Sequence, residues 1–486
     1  MALPKTAFVD PAGSNRTEIE TLLHQAVALL VEVLAEAGNG SPLPTTLPID
    51  QLERWAEIPR QSQDADLLLG EVRSHLTHSM NPAHPGYIGH MDSMPTVMSM
   101  VGDLLVAAIN NNMLSVEMSP VFSRLEPLVM AQIAQQFGLG NKAGGVMVSG
   151  GSLANLQALT VARNIAFDAL KTGVVGLSRK PVFFVSEVAH TSMQKAAMMM
   201  GLGSDAAIAI RTNANSQLDI ADLNANIERA RQTQQTPFAI VATAGTTVTG
   251  NIDPIVEIGA IAQSHNLWFH VDAAYGGALI FSPEYQHLLE GIGQADSVTF
   301  NPQKWLYVTK TCATVLFKDF DSLKSHFRIL APYMGDDDQW SNLGELSVQG
   351  TRHPDILKLW LSLQHLGTSG YAEIIRHNYN LTEQFTEAVK ARHTLQLASQ
   401  PQMNLICFRL APKNVAAQQW DSLNAQLQHF LLRAKTPFFL SLPTYRQQSW
   451  LKAVLLNPYT CPQDIETLFQ AIDTFITRYV TPSCPD

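Results

Sequence analysis

The sequence predicts an α/β protein built on a mostly parallel sheet with helices on both faces. From about residue 140, short apolar segments of strand length alternate with longer segments of helical pattern. The strand-like segments are PVFFVSE, FAIVATAG, LWFHVDAA, SVTFN and CATVLFK. Such alternation is typical of β–α units whose strands lie side by side in one sheet.

The chain is long enough for more than one compact core, since its 486 residues exceed the usual size of one domain. Changes of pattern divide it into residues 1–80, 81–355 and 356–486. We predict a helical N-terminal segment, a large domain that contains the sheet, and a smaller C-terminal α+β domain.

The first 80 residues contain two predicted helices. Thr17 and Glu20 have the spacing of a capping box, and the apolar period after them stops at Gly38. A second helical pattern runs from about Asp64 to Thr77. Two such helices bury too little apolar surface to be stable alone. We therefore expect this segment to pack on something larger, such as a second subunit.

Composition excludes several classes of partner. The net charge of −10 and the absence of a strong basic run argue against nucleic acid. The early apolar run AVALLVEVLAEAG is interrupted by Glu32 and Glu36, so we predict neither a signal peptide nor a membrane span. The four cysteines are far apart and form no CxxC motif. This spacing favours a reducing compartment and no zinc site, and we expect a cytoplasmic protein without a metal.

Polar residues follow several predicted strands at the point where each strand ends. His190 follows FFVSE, Thr247 follows IVATAG, Asp272 ends LWFHV, and Lys304 follows SVTFN. Ligands of parallel sheets bind beyond the carboxyl ends of the strands, so these side chains are expected to share one rim. Upstream, the glycine-rich turn SGGS at 149–152 opens a helical pattern, and such a helix start can bind a phosphate.

Each of these features alone has an ordinary structural explanation. An aspartate at a strand end is often a cap, a histidine is often a satisfied interior residue, and a lysine is normally solvated. The SGGS turn is neither a P-loop nor a G-x-G-x-x-G fingerprint. Only the ordered set favours a functional rim over these separate explanations.

The ordered motifs carry a resemblance to a known family. From about residue 84 to 458 the chain contains HPGYIG, NNNMLSVEMSPVFSRLE, SGGSLANLQALTVAR, EVAHTS, ATAGTTVTGNID, HVDAAYGG, NPQKW and QGTRHPDILKLW. This series closely resembles the pyridoxal-phosphate-dependent decarboxylases that act on glutamate, cysteine sulfinate and aromatic amino acids. The resemblance implies an aspartate-aminotransferase-like fold, pyridoxal 5'-phosphate as cofactor, and a homodimer with its active site at the subunit interface.

The resemblance also implies roles for individual residues. Lys304 matches the lysine that bonds covalently to the cofactor. A lysine suits this role because a shielded amine loses its proton more easily than one in water. Asp272 matches the aspartate beside the ring nitrogen, and His190 matches the histidine stacked on the ring, which is also proposed to assist catalysis. The remaining matches to cofactor-binding positions are Gly151, Ser152, Thr247, Ala274, Asn301 and Gln303.

Two departures from the family concern acid–base groups. Gln303 stands where many relatives have a histidine, and glutamine cannot titrate, although it could still bind the phosphate. The stretch before Arg352 carries its tyrosine early, at Tyr333, rather than late in the loop. Tyr333, Trp340 or His353 is a candidate to replace the late tyrosine. Because loss of that tyrosine favours aldehyde formation in some relatives, an aldehyde synthase stays an alternative.

The substrate candidates are His90, Asn112, Phe122 and Lys452. Lys452 stands where glutamate decarboxylases carry a substrate-binding arginine, and a lysine offers a point charge instead of a fork. A surface lysine at a strand edge is an equally weighted interpretation. The match to the glutamate and cysteine-sulfinate branch implies decarboxylation of a small acidic L-amino acid. Aromatic amino-acid decarboxylation, an aminotransferase and a non-catalytic nucleotide-binding module are the alternatives.

Overall fold

The computed structural model describes residues 3–331, 335 and 339–480. The N-terminal segment forms helices α1 (Arg16–Ala35), α2 (Ile49–Ala56) and α3 (Ala65–Thr77). The predicted capping box is wrong, because α1 begins after Asn15 and Thr17 lies inside its first turn. Glu20 pairs instead with Arg16, whose Nε lies 2.7 Å from the carboxylate. Asp64 caps α3 by accepting from two backbone amides.

A seven-stranded sheet forms the centre of the molecule. Helices α4 (Val97–Ile109) and α5 (Phe122–Gln136) precede it. Its strands are β1 (Gly144–Val148), β2 (Lys180–Ser186), β3 (Ala207–Ile210), β4 (Gln235–Thr243), β5 (Trp268–Asp272), β6 (Ser297–Phe300) and β7 (Ala313–Phe317). The order is β1-β7-β6-β5-β4-β2-β3, and only β7 runs against the others. The predicted mostly parallel sheet is confirmed.

Helices cover this sheet, as the burial of its strands requires. They are α6 (Gly151–Phe167), α7 (Ala169–Thr172), α8 (Ser192–Met199), α9 (Ile220–Gln232), α10 (Ile255–His265) and α11 (Phe320–Phe327). Every residue of β1, β6 and β7 is buried, which is the pattern of a sheet enclosed on both faces. The polar ends of β2, β4, β5 and β6 therefore open together at one edge of an apolar core.

The C-terminal part begins with the long helix α12 (Ile356–Lys390), which is interrupted at Gly367 by a residue with φ 62°. A three-stranded antiparallel sheet follows, in the order β12-β9-β8. The remaining elements are β8 (Leu395–Leu397), β9 (Leu405–Leu410), α13 (Trp420–Leu432), β10 (Thr444–Tyr445), β11 (Gln448–Ser449), β12 (Leu451–Val454) and α14 (Pro462–Tyr479). The small sheet carries Lys452 on β12.

Two further features bear on the chain's surroundings. Within the described ranges, no helix combines the length and apolar character needed to cross a membrane. Cys312, Cys407 and Cys461 are free thiols, and the first two are buried. Cys484 lies outside the described residues.

Candidate active site

A cavity of about 280 Å³ lies beyond the carboxyl ends of the parallel strands, against the start of α6. It is lined by Gly150, Gly151, Ser152, Asn155, His190, Thr243, Gly245, Thr247, Asp272, Ala274, Tyr275, Asn301, Gln303 and Lys304. All nine residues predicted to be catalytic or to bind the cofactor are among these. The structure therefore brings together, in one chain, side chains that are up to 153 positions apart in sequence.

Lys304 stands in the turn that follows β6. Its backbone N–H donates to Asn301 O at 3.0 Å, and the next residue, Trp305, is buried and donates from Nε1 to Asn378 Oδ1 at 2.8 Å. These anchors hold the lysine stem at the cavity wall. Burial lowers the pKa of Lys304, while nearby Asp272 opposes that shift. The neutral amine needed for nucleophilic attack is therefore more accessible than on a solvated lysine.

Asp272 ends β5 and is 5% exposed. Its Oδ1 accepts from the Ala274 N–H at 3.1 Å, and its Oδ2 accepts from Asn155 Nδ2 at 2.9 Å. Each oxygen of a carboxylate can accept more than one hydrogen bond. Asp272 is thus fixed in place and retains acceptor capacity toward a protonated ring nitrogen in the cavity.

His190 lies in the loop after β2, where its side chain keeps an exposed surface. Its Nδ1 accepts from the Ser192 N–H at 3.2 Å, which leaves the imidazole plane positioned by the start of α8. Partial desolvation lowers the pKa of His190, and Asp272 opposes the change. A neutral imidazole at the cavity is suited to stacking on a heteroaromatic ring.

The glycine turn and the loop before Lys304 form a polar cradle. A Cβ added to Gly151 would lie 2.7 Å from Asn301 Nδ2, so only glycine lets these two segments approach so closely. Asn301 Oδ1 and Thr243 Oγ1 are buried and have no hydrogen-bond partner among the residues that the structure describes. Gln303 Oε1 accepts from the Cys312 N–H at 2.6 Å, which leaves its amide nitrogen free to donate.

This donor set fits pyridoxal phosphate. The first backbone amides of α6 have no intrahelical acceptor and can bind phosphate oxygens, and the helix dipole favours the same anion. The unpartnered polar atoms of Asn301 and Thr243 require a polar ligand for satisfaction. Lys304 and Asp272 line the same cavity with an amine and a carboxylate, groups suited to covalent attachment and to contact with a protonated ring nitrogen.

The four substrate candidates do not line this cavity. Lys452 lies next to it, with Nζ donating to Thr247 O at 3.2 Å. His90 packs against the Phe439 ring, with ring centroids 5.2 Å apart, and its pKa is lowered by burial and then by Lys452.

Asn112 and Phe122 have partners away from the cavity. Asn112 Oδ1 accepts from the backbone amides of Leu114 and Arg352, and Phe122 opens α5 and packs against the central core. Their proposed contact with substrate stays a prediction.

Of the three candidates to replace the late tyrosine, the structure describes Trp340 and His353. Tyr333 lies outside the described residues. His353 is exposed, and its Nδ1 lies 3.1 Å from Asp355 Oδ1. Neither His353 nor Trp340 lines the cavity.

Sequence reasoning missed five lining residues: Gly150, Asn155, Thr243, Gly245 and Tyr275. One signal was available, because Asn155 follows Gly151 by four positions and so shares its face of α6. Thr243 is the last residue of β4 and carries the same strand-end signal as Asp272. Tyr275 is buried and stacks on Trp305, and an aromatic residue of this kind is predicted from sequence as a core residue and not as a cavity residue.

Comparison with known proteins agrees with this geometry. The family described as "Pyridoxal-dependent decarboxylase conserved domain" matches residues 49–411. The acidic amino acid decarboxylase GADL1 of Mus musculus is 29% identical over 490 residues, which cover 96% of this chain and 89% of the relative. The crystal structure of mouse CSAD in apo form has a TM-score of 0.88 at 27% identity, covering 95% of this chain and 99% of that one. Oryza sativa TDC with PLP and tryptamine has a TM-score of 0.90 at 23% identity, covering 98% and 100%, and shares the fold.

The fold and the family match define an enzyme that uses pyridoxal phosphate. The chain belongs to the pyridoxal-dependent decarboxylase family, whose conserved domain spans most of its length. It is a carboxy-lyase that removes the carboxyl group of an amino acid as CO₂.

Proposed function

We propose that the enzyme decarboxylates a small acidic L-amino acid to the corresponding amine, with Lys452 binding the acidic side chain. One observation carries this proposal: a lysine beside the cavity is buried without a counter-ion. Lys452 is 5% exposed, and within the described residues the carboxylate that acts on it electrostatically, Asp92, forms its ion pair with Lys310 instead. Its Nζ donates to the carbonyl of Thr247.

A buried ammonium group without a partner is costly, and an anionic ligand would offset that cost. Burial lowers the pKa of Lys452 most strongly, and the charge of Lys304 adds to this shift, whereas Cys407 and Asp92 oppose it. A substrate carboxylate or sulfinate would oppose the lowering by stabilising the charged form. Ser441 forms an isolated antiparallel bridge with Lys452, and its buried Oγ has no hydrogen-bond partner within the described part of the chain. It supplies a second donor on the same side.

The relatives support an acidic substrate. The GADL1 proteins of mouse and human, 29% and 28% identical to this chain, are named acidic amino acid decarboxylases. The alternative of an aromatic substrate lacks a comparable feature, because Lys452 would then face an uncharged ring.

Six residues of the cavity and the start of α6 have a proposed task. Pyridoxal phosphate, when bound, supplies a ring that accepts the electrons of the breaking bond between Cα and the carboxylate. Lys304 Nζ would hold the cofactor covalently and could take up or give a proton during the reaction. Asp272 would hold the ring nitrogen, and His190 and Ala274 would confine the ring. The start of α6, with Asn301 and Gln303, would bind the phosphate and so fix the orientation of the ring.

Product analysis tests the proposed substrate class. The enzyme is incubated with aspartate, glutamate, cysteine sulfinate, tryptophan and tyrosine, and CO₂ and organic products are measured. We expect the largest kcat/KM for one of the three acidic substrates, with an amine as product. Faster CO₂ release from an aromatic substrate would overturn the proposal. An aldehyde formed with peroxide and ammonia would identify an aldehyde synthase, and a keto acid would identify an aminotransferase.

We propose further that the chain acts as a homodimer, with helices α1 and α4 in the interface. These helices line an apolar groove of about 720 Å³, which includes Leu23, Val27, Leu30, Val31, Val97, Val101 and Leu104. Val31 and Val97 are 59% and 67% exposed, and an exposed apolar patch of this kind is typical of an interaction site. A second copy would cover the groove, and the family resemblance implies that it would also complete the active site.

The remaining proposals concern organisation and location. Two apolar cores, one around the large sheet and one around the small sheet, support a large and a small domain, and the first half of α12, up to Ile375, packs in the core of the large one. The free thiols Cys312, Cys407 and Cys461 support a reducing compartment, and we propose the cytoplasm.

A further inference from the structure

A chain of buried hydrogen bonds lies directly behind Asp272. Asn155 Nδ2 donates to Asp272 Oδ2 at 2.9 Å, and Asn155 Oδ1 lies 3.0 Å from His270 Nε2. On the other side of the ring, His270 Nδ1 lies 2.8 Å from Ser297 Oγ. Ser297 Oγ in turn accepts from Trp268 Nε1 at 2.8 Å. Asn155, His270 and Ser297 are at most 1% exposed, so water does not compete for these bonds.

The direction of every bond in this chain is determined from the carboxylate end. A carboxylate only accepts, so the Asn155 atom that faces Asp272 must be the amide nitrogen. Asn155 Oδ1 then faces His270, and His270 Nε2 must carry a proton. Burial lowers the pKa of His270 to about 4, so the ring is neutral and its Nδ1 is an acceptor. Ser297 therefore donates its hydroxyl proton to Nδ1.

The opposite end of the chain is compatible with the same direction. The indole nitrogen of Trp268 can only donate, so Ser297 Oγ accepts from it and keeps its own proton for another acceptor. His270 Nδ1 is the acceptor at 2.8 Å. Because both ends agree, the chain has one arrangement, and successive bonds of a chain polarise one another. Asn155 is thereby locked with its donor side toward Asp272.

Asn155 also reaches the other ring contact of the cavity. The same Nδ2 lies 3.0 Å from Ser192 Oγ, and the Ser192 N–H donates to His190 Nδ1 at 3.2 Å. One amide group thus touches the residue proposed to hold the ring nitrogen and the turn that positions the proposed stacking residue.

We propose that Asn155, oriented by His270 and Ser297, is a positioning residue for the cofactor: it aims Asp272 at the ring nitrogen and holds the turn that carries His190. This inference goes beyond the proposed substrate and concerns cofactor binding alone. It rests on the proposed placement of the cofactor ring between Asp272 and His190.

The test compares Asn155→Leu with a matched control on the same helix. Asn164 also lies on α6 and is 2% exposed, and its Nδ2 donates to His326 O at 2.7 Å, outside the cavity. Asn164→Leu therefore removes a buried amide without touching the cofactor. Purified apoenzyme of each variant is titrated with pyridoxal phosphate, and the absorbance of the bound cofactor is followed from pH 6 to pH 9.

We expect Asn155→Leu to weaken cofactor binding by about 5- to 100-fold, as for a buried hydrogen-bond partner removed from a polar group. The midpoint of its absorbance change with pH should also move, because the contact to the ring nitrogen is altered. Asn164→Leu should keep both properties within about twofold of the wild-type protein. Equal effects of the two variants, or unchanged binding by Asn155→Leu, would overturn the proposal.

Two further variants make the outcome decisive. If Asn155→Leu does not fold, Ser297→Ala removes the donor to His270 Nδ1 with little change of volume, and it should weaken binding several-fold. Unchanged binding by Ser297→Ala would then overturn the proposal. Asp272→Asn tests the proposed ring placement separately from the role of Asn155. If Asp272→Asn binds the cofactor with normal affinity, the proposed ring placement fails. If Asp272→Asn loses affinity while the Asn155 and Ser297 variants do not, only the proposed role of Asn155 fails.

Discussion

Arg352 and Glu126 form an ion pair that is shielded from water on both sides. Arg352 Nη2 lies 2.6 Å from Glu126 Oε1, and the side chains are 5% and 0% exposed. The same nitrogen donates to Met147 O at 2.8 Å, and Glu126 Oε1 accepts from the Met147 N–H at 2.9 Å. The pair therefore ties the segment before α12 to β1, just ahead of the glycine turn of the cavity.

Arg352→Met should lower the free energy of unfolding by about 3–5 kcal/mol, because it leaves the Glu126 carboxylate buried without a partner. Urea denaturation of the apoenzyme measures this loss. Arg376→Met is the control, since its ion pair with Glu284 is 56% and 51% exposed and should contribute less than about 1 kcal/mol. Equal losses for the two variants would contradict the prediction.

Lys304→Ala should abolish covalent attachment of the cofactor and lower kcat by about a thousandfold or more, because one group of a catalytic unit is missing. Borohydride reduction followed by peptide mapping checks attachment, and CO₂ release checks kcat. Lys318→Ala is the control, since Lys318 is exposed and its Nζ donates to Gly293 O, away from the cavity. Near-normal turnover by Lys304→Ala would show that another group does this work.

Lys452→Met should raise KM for the preferred acidic substrate by about 10- to 100-fold, as expected for loss of a hydrogen bond to a charged group. The cofactor spectrum should stay unchanged, because Lys452 does not line the cofactor cavity. Steady-state kinetics of Lys452→Met and of the exposed control Lys413→Met measure the difference. A KM unchanged in Lys452→Met would remove Lys452 from the substrate site.

Asp253 predicts a pH dependence of stability. It is 2% exposed and accepts from the Leu218 and Thr243 N–H groups, and burial raises its pKa to about 6 from its ordinary value of 3.8. The unfolded chain thus releases this proton at lower pH than the folded chain. The contribution of Asp253 to the free energy of unfolding is therefore greatest below about pH 4. It falls as the pH rises to about 6 and is constant above that.

The fall attributed to Asp253 is about 3 kcal/mol, from a rise of about two pKa units. Asp253→Asn should be less stable than the wild-type protein at pH 4.5, because an amide accepts from only one of the two N–H groups. The difference should shrink by about 2 kcal/mol by pH 7. Denaturation of both proteins at each pH checks the change, and a constant difference would show that Asp253 does not titrate in this range.

Val31→Asp should dissociate the proposed homodimer, because it places a charge in the apolar groove between α1 and α4. Sedimentation velocity should show a monomer, with CO₂ release reduced as the cavity loses its cover. Val175→Asp is the control, since Val175 is 96% exposed and lies outside the groove. A wild-type protein that sediments as a monomer would refute the dimer directly.

The strand ends were the most predictable part of the molecule. Asp272 and Lys304 each follow an apolar run that can only be a buried strand, and the structure puts both at one edge. Strand β3 was missed, because four residues of the pattern AIAI are too short to distinguish from a loop. Strand β1 was missed because GGVMV is short, begins with two glycines and runs directly into the glycine turn before a helix.

The residues around the cavity fall into two groups: those whose roles follow from local sequence and those whose contacts depend on tertiary packing. A role that depends on one residue type at a strand end, such as that of Asp272, can be predicted from sequence. The contact of Asn155 with Asp272 depends on how α6 lies across β5, which no local pattern encodes. Burial of Lys452 likewise depends on the small sheet packing against the Thr247 loop, and sequence alone left a surface lysine equally plausible.

The single reversed strand, β7, has a consequence for how the chain acquires its activity during synthesis. Strand β1 has one neighbour in the sheet, β7, and Val148 pairs with Ala313. A ribosome releases β1 and the glycine turn early, but the strand that seats them emerges only after Lys304 has been made. A nascent chain that stops short of residue 313 therefore already carries Lys304, the proposed cofactor lysine, yet lacks the strand that pairs with β1 ahead of the proposed phosphate-binding turn.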